Sequence, residues 1–212
     1  MERHGMHRTY GEGCLAAHAL DLVGDRWSLL IVRELMLGPK RFGAIRAGVP
    51  GIATNMLARR LADLTAAGIV EETVLPAPAS VAAYALTRAG EALWPVIESL
   101  CRWGLCQPGH DPRRFISPTA LMLSMRVTGS REGPVAGAGF VMGDEVFDVE
   151  LGAGRYAVRR VARPGHGPLF RGPANALAGL IYGPRPLAEA AGMVEGDLAA
   201  AQAFADRFSL AS

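Results

Sequence analysis

One helical stretch carries side chains with the chemistry to read a nucleic-acid duplex. In the run Ala53-Thr54-Asn55-Met56-Leu57-Ala58-Arg59-Arg60, followed by Leu61 and Leu64, the leucines recur at four and three residues. That is the spacing of a buried helical stripe. Thr54, Asn55, Ala58 and Arg59 then face away from it. Asn pairs bidentately with adenine, Arg with guanine, and Thr meets a thymine methyl or a phosphate. The small Ala58 lets such a helix approach closely. Lys40 and Arg41, at the start of the preceding short helix, suit phosphate oxygens. Arg60 has two readings, a further phosphate contact or an ion pair with Asp63 or Glu71.

Charge supports a local patch rather than a global field. The 212 residues carry a formal net charge of only +2. Residues 26–60 hold Arg26, Arg33, Lys40, Arg41, Arg46, Arg59 and Arg60 against Glu34 alone, a local charge of +6. On a helix-turn-helix such a cluster is the footprint of phosphate binding; elsewhere it is an ordinary solvated face.

The periodicity predicts helices over 14–22, 27–37, 41–46 and 54–67. Gly38-Pro39 and Gly48-Val49-Pro50-Gly51 are the breaks, and Gly68 suits the last C′ position. A β-hairpin follows, with strands over 69–75 and 81–86 and a loop over 76–80. Thr87 caps a long helix to about residue 103. Residues 107–112, with Pro108, Gly109 and Pro112, read as a linker. Beyond it Leu121, Leu123, Met125 and Val127 alternate, as do Phe147, Val149 and Leu151, and strands are expected there and over 140–142 and 156–161. Helices return over 173–182, 186–191 and 197–208. The expected fold class is α+β: a helix-turn-helix with a β-hairpin, then an antiparallel sheet followed by helices.

Apolar residues make up 50% and charged residues 20%, which excludes a disordered chain, and 3 cysteines exclude a disulfide scaffold. No uncharged apolar run approaches the roughly 18 residues a membrane span needs. No apolar leader segment is present at residues 1–10. A cytoplasmic protein is expected, with no membrane partner. Cys14 stands at a helix N-terminus, where the dipole favours thiolate, with His18 one turn on; it reads either as a redox-sensing candidate or as a small packing residue. Cys101, Cys106 and His110 lack metal-ligand spacing. His4, His7 and His166 sit in expected termini or loops, and there is no GxSxG, Walker or HExxH motif. No enzyme activity, metal or cofactor is expected.

The stretch Ala19-Leu20-Asp21-Leu22-Val23-Gly24-Asp25-Arg26-Trp27 is followed by Leu29-Leu30-Ile31-Val32-Arg33-Glu34-Leu35 and Gly38-Pro39-Lys40-Arg41-Phe42. With Gly51-Ile52, Leu57, Arg60-Leu61, Leu64, Gly68-Ile69-Val70 and Tyr84-Ala85-Leu86-Thr87-Arg88-Ala89-Gly90, it closely resembles the HxlR-type winged-helix transcriptional regulators over residues 10–104. The resemblance implies a dimer on a near-palindromic operator, with the helix from Ala53 as recognition helix and residues 71–86 as wing. It implies dimer contacts from the first helix and the helix over 88–103, and it aligns Cys14 with a cysteine that some members use to sense oxidants or electrophiles. Two positions depart. Residues 76–83 hold no basic residue where wings usually do. Ala53 replaces the usual Ser, so Thr54 is expected to take over the cap and shift the helix start by one.

The run Gly179-Leu180-Ile181-Tyr182-Gly183, with Leu187-Ala188-Glu189-Ala190, Glu195-Gly196-Asp197, Ala201, Phe204 and Phe208, resembles the end of a sterol-carrier-protein-2-like domain. That resemblance covers residues 118–210 and implies a cavity for a lipid-like molecule. Met122, Met125, Phe140, Met142 and Phe147 are its candidate lining, or they fill an ordinary core. The expected organisation is a DNA-binding and dimerisation domain over 1–106, a linker over 107–117 and a ligand-binding domain over 118–212. The expected function is a homodimeric, sequence-specific DNA-binding repressor responsive to an apolar small molecule. One alternative is a redox or electrophile sensor acting through Cys14, with a structural second domain. Another is a lipid carrier whose winged helix mediates protein contacts.

Overall fold

Apolar stripes at helical spacing build the first part of the chain. In the computed structural model, which describes residues 9–76, 80–165, 167–183, 187–190 and 192–210, the chain forms two compact units, Met1–Trp94 and Pro95–Ser212. The first contains α1 (Leu15–Val23), α2 (Ser28–Leu35), α3 (Phe42–Gly48), α4 (Thr54–Ala66), β1 (Val70–Val74), β2 (Ala82–Leu86) and the short α5 (Arg88–Glu91). Ile31, Val32 and Leu35 of α2, Ile45 of α3, and Leu57, Leu61 and Leu64 of α4 form its core, with almost no solvent contact. The expected leucine stripe is therefore the buried one. Gly68 ends α4 at positive φ (+69°), and the Ile69 amide returns to the Leu64 carbonyl at 2.9 Å.

β1 and β2 pair antiparallel from Val70↔Leu86 to Val74↔Ala82, making the expected hairpin. Residues 77–79 of its loop lie outside the described residues, as do His4, His7, His166 and positions 184–186 and 191 around the expected helix over 186–191. Thr87 accepts from the Gly90 amide at 3.2 Å, as a cap should. The helix it opens is not continuous to 103. It stops at Glu91, and α6 (Trp94–Leu105) begins beside Pro95. In a continuous helix the proline ring would clash with the carbonyl four residues back.

The second unit holds α6, α7 (Pro118–Thr128), β3 (Ala136–Met142), β4 (Glu145–Gly152), β5 (Arg155–Arg160) and β6 (Leu169–Arg171). It ends with α8 (Ala174–Tyr182), a 3₁₀ turn (Leu187–Glu189), β7 (Val194–Glu195) and α9 (Leu198–Ala205). The strand expected around Leu121 to Val127 is a helix. Ser117 caps it by accepting from the Ala120 amide at 3.1 Å, and Pro118 occupies its first turn. Residues Thr119 to Leu123 and Met125 are all buried, so a helix apolar nearly all round shows an accidental alternation. The sheet order is β5-β4-β3-β6-β7. It is mixed rather than antiparallel, because β6 runs parallel to β3.

Alternation along the strands splits the sheet into two faces. On one, Phe140 stands opposite Phe147 and stacks on Phe170 with centroids 5.0 Å apart. Phe204 of α9 meets both Phe140 and Phe170 at about 6 Å and Phe208 at 5.2 Å. On the other face Arg159 approaches Glu150 at 3.7 Å and Arg171 pairs with Glu195 at 2.9 Å. Arg207 ties the C-terminal end down by donating to the carbonyls of Pro134 and Ser130 at 2.9 and 3.0 Å.

Truncating the centre of the aromatic cluster tests this packing. Phe204→Ala should lower stability by about 3–5 kcal/mol in urea unfolding followed by circular dichroism. Ser117→Ala, which removes one cap, should cost about 1 kcal/mol. Equal effects from the two would contradict the cluster's central place.

Candidate nucleic-acid interface

The leucine stripe of α4 fixes what the helix shows to solvent. With Leu57, Leu61 and Leu64 inside, Thr54, Asn55, Ala58 and Arg59 are exposed together on the opposite side. The helix starts at Thr54 with Ala53 as an extended N-cap and no side-chain cap bond, so the expected one-residue shift does not occur. The Met56 amide donates to Asn55 Oδ1 at 2.8 Å. That oxygen keeps a second lone pair, so bidentate pairing remains available.

The cations of residues 26–60 divide into two groups. Arg26, Arg41, Arg46 and Arg59 are exposed, with Arg26 lying over the Trp27 ring at 5.0 Å. Arg46, in the last turn of α3, and Arg26 were counted in the sequence as charge but given no role; only the fold shows that both reach solvent. Arg60 takes the ion-pair reading. Its Nη1 lies 3.1 Å from Asp63 Oδ2 and 3.7 Å from Asp25 Oδ2. Glu71 is not the partner.

Lys40, expected as a phosphate contact, is turned inward in this structure. It is 3% exposed, and its ammonium donates to Glu34 Oε2 at 3.0 Å. Glu34 is fully buried, and Arg33 Nε and Nη2 donate to its other oxygen at 3.1 and 2.9 Å. Arg33 Nη2 also reaches the Gly48 carbonyl at 2.9 Å. A Cβ at position 48 would stand 2.2 Å from Glu34 Oε2, so any larger residue there would have to displace the carboxylate. The Lys40 backbone exchanges two hydrogen bonds with Tyr84 of β2, at 3.0 and 2.9 Å. The single acid in a basic window, Glu34, is the sequence signal of this cluster. The adjoining wing is anionic: Glu71 and Glu72 of β1 are exposed.

Cys14 is the exposed N-cap residue of α1. The backbone N–H of Ala17, then that of Ala16, holds its thiol below the usual cysteine pKa by hydrogen bonding to the thiolate. The apolar candidates Met122, Met125, Phe140, Met142 and Phe147 are all buried within the second unit. Phe140 and Phe147 share the helix-covered face of the sheet, whereas Met122 and Met125 come from α7. Among the described residues, no group of three His, Cys, Asp or Glu side chains could hold a metal ion. Among the described residues, no helix is long and apolar enough to cross a membrane.

A short helix, a turn, an outward-reading helix and a two-stranded hairpin define a winged helix-turn-helix module. The HxlR-like helix-turn-helix family matches residues 22–110. The HTH-type transcriptional regulator YodB of Bacillus subtilis is 43% identical over 93 residues, which are 43% of this chain and 83% of the relative. YvaP of the same organism, an uncharacterised HTH-type regulator, is 35% identical over 85 residues, 40% of this chain and 79% of its own. The solved structure of reduced YodB has 40% identity and a TM-score of 0.40, covering 47% of this chain and 100% of that one. The chain belongs to the HxlR-like helix-turn-helix family of transcriptional regulators.

The lowered Cys14 pKa has a kinetic consequence, because the thiolate is the nucleophile. The rate of Cys14 alkylation by iodoacetamide should rise with pH and level off earlier in the folded chain than in the urea-unfolded chain. Peptide mass spectrometry at a series of pH values reads this directly. Coincident profiles would mean that the two amides do not act on the sulfur.

Proposed function

We propose that the chain is a homodimeric repressor that binds a near-palindromic operator through α4. The observation that carries this is the joint outward display of Thr54, Asn55, Ala58 and Arg59. Arg41, with Arg26 and Arg46 near by in sequence, supplies the cations for phosphate, and Arg59 reads a base. The wing contributes little on this reading, since Glu71 and Glu72 repel the backbone. The domain boundaries proposed are 1–106 for DNA binding and dimerisation, 107–117 for the linker and 118–212 for a sterol-carrier-protein-2-like ligand domain.

Dimerisation is supported by apolar side chains left in water. Leu15 is 87% and Leu20 50% exposed on α1, and Trp103 is 66% exposed on α6. Large exposed apolar residues grouped on a helix mark an interaction surface. An apolar ligand is proposed from the resemblance over residues 118–210 and from the adaptability of Met122, Met125 and Met142. Such a ligand regulates only by binding the DNA-competent and incompetent dimers differently. A second reading is favoured by Cys14 itself, exposed and with a lowered pKa. On that reading oxidation or alkylation at Cys14 controls the dimer, and Cys14→Ser abolishes the response.

Two measurements test the main reading. Asn55→Ala or Arg59→Ala should relax sequence preference at one operator position by about 1–3 kcal/mol; uniform weakening across sequences would reassign the residue to phosphate. Native mass spectrometry should find a dimer retaining an apolar molecule, and Leu20→Glu should give a folded monomer. A wild-type monomer at micromolar concentration rules out the dimer.

A further inference from the structure

We infer that the buried cluster of Glu34, Lys40 and Arg33 is a positioning device for the DNA-reading surface, and that Lys40 serves binding through Glu34 rather than by touching phosphate. This rests on the duplex reading above. The cluster joins parts of the module that are distant in sequence. Glu34 belongs to α2. Lys40 precedes α3 and is bonded through its backbone to Tyr84 of β2, at the base of the wing. Arg33 holds the Gly48 carbonyl, where α3 gives way to the turn that launches α4. Glu34 Oε2 also lies where a Cβ of residue 48 would stand, so the carboxylate and the end of α3 are in direct contact. One carboxylate thus sets where the wing base and the turn before α4 sit relative to α2.

Burial makes the arrangement stringent. The Lys40 and Glu34 side chains are 2% and 0% exposed, so neither charge has water to fall back on. A buried pair is a weak source of net stability but a strict geometric constraint, because loss of either partner leaves a charge inside the protein. The inference separates two roles that a basic residue at position 40 could have. A phosphate contact contributes to the salt dependence of binding, about 0.9 per contact in log–log slope. A positioning residue changes affinity and preference while leaving that slope alone.

The test uses the full chain and a duplex enriched by the wild type from a random pool. Lys40→Met should weaken binding on the order of tenfold at fixed salt, with the wild-type salt slope retained. Arg41→Ala and Arg46→Ala, at exposed cations outside the base-reading set, serve as comparators, each flattening the slope by about 1. Because Lys40→Met leaves the Glu34 charge buried, Glu34→Gln with Lys40→Met provides a second variant with both charges removed. This double variant should unfold near the wild-type temperature yet discriminate less between the enriched duplex and a scrambled one. A slope flattened by about 1 in Lys40→Met overturns the inference, as does wild-type discrimination in the double variant. If the wild type enriches no duplex, the function itself fails, a result distinct from either.

Discussion

A carboxylate with no access to water must be neutralised where it stands, and Glu34 is such a group. Its two oxygens divide their partners, Lys40 on one and Arg33 on the other. The first unit is arranged around this requirement. The carboxylate occupies the space that a side chain at residue 48 would take. The segment before α3 follows the path that brings the Lys40 ammonium inward, and this path lays its backbone against Tyr84. The wing base is thereby registered to the helices by two hydrogen bonds rather than by apolar contact alone. Isolated two-stranded hairpins are marginal in water, so an anchor of this kind matters to the wing's placement.

The same constraint sorts the local charge. Of seven cations in residues 26–60, Arg33 and Lys40 serve Glu34, and Arg60 serves Asp25 and Asp63. Net charge in a sequence window therefore overstated the field at the surface. The Arg60 pairs also have a geometric effect, since Asp25 precedes α2 and accepts from the Trp27 amide at 2.8 Å. Acid groups placed before α2 and inside it thus reach toward both ends of the helix-turn-helix. The cations left in water are Arg26, Arg41, Arg46 and Arg59.

What the residues disclosed in advance depended on whether local signals agreed with the environment. α4 was legible because its leucines mark one face only, so period and burial coincide. The hairpin was legible because β1 and β2 are short and bounded by Gly68 and a Pro-rich loop. α7 was misread because its surroundings are apolar on almost every side, which erases the phase that separates period 2 from period 3.6. The Ser117-Pro118 start was the better signal, since a cap and an N1 proline act locally whatever the burial. Pro95 was overlooked in the same way. Lys40 was misplaced for a different reason: a lysine type says nothing of its partner, and Glu34 lies six residues away in a separate helix. The sheet's parallel pair, β3 with β6, joins segments separated by two strands and a loop, and no local pattern records such a pairing.

These placements bear on why a single copy is a poor unit for duplex binding on the proposed reading. Four exposed arginines, Arg26, Arg41, Arg46 and Arg59, give one protomer a salt slope of about −4 even if all of them meet phosphate. The anionic wing adds nothing to that grip. Base readout rests on one short set of side chains in the first turns of α4, where each bidentate pair discriminates by about 1–3 kcal/mol. Two such surfaces held about 34 Å apart double both quantities and bring in the spacing itself as a third source of selectivity. On the proposed reading, the apolar side chains left in water on α1 and α6 would form the dimer contacts that impose that spacing. On the proposed reading, an adduct at Cys14 would act through α1 on the distance between the two reading surfaces rather than on the contacts of either one.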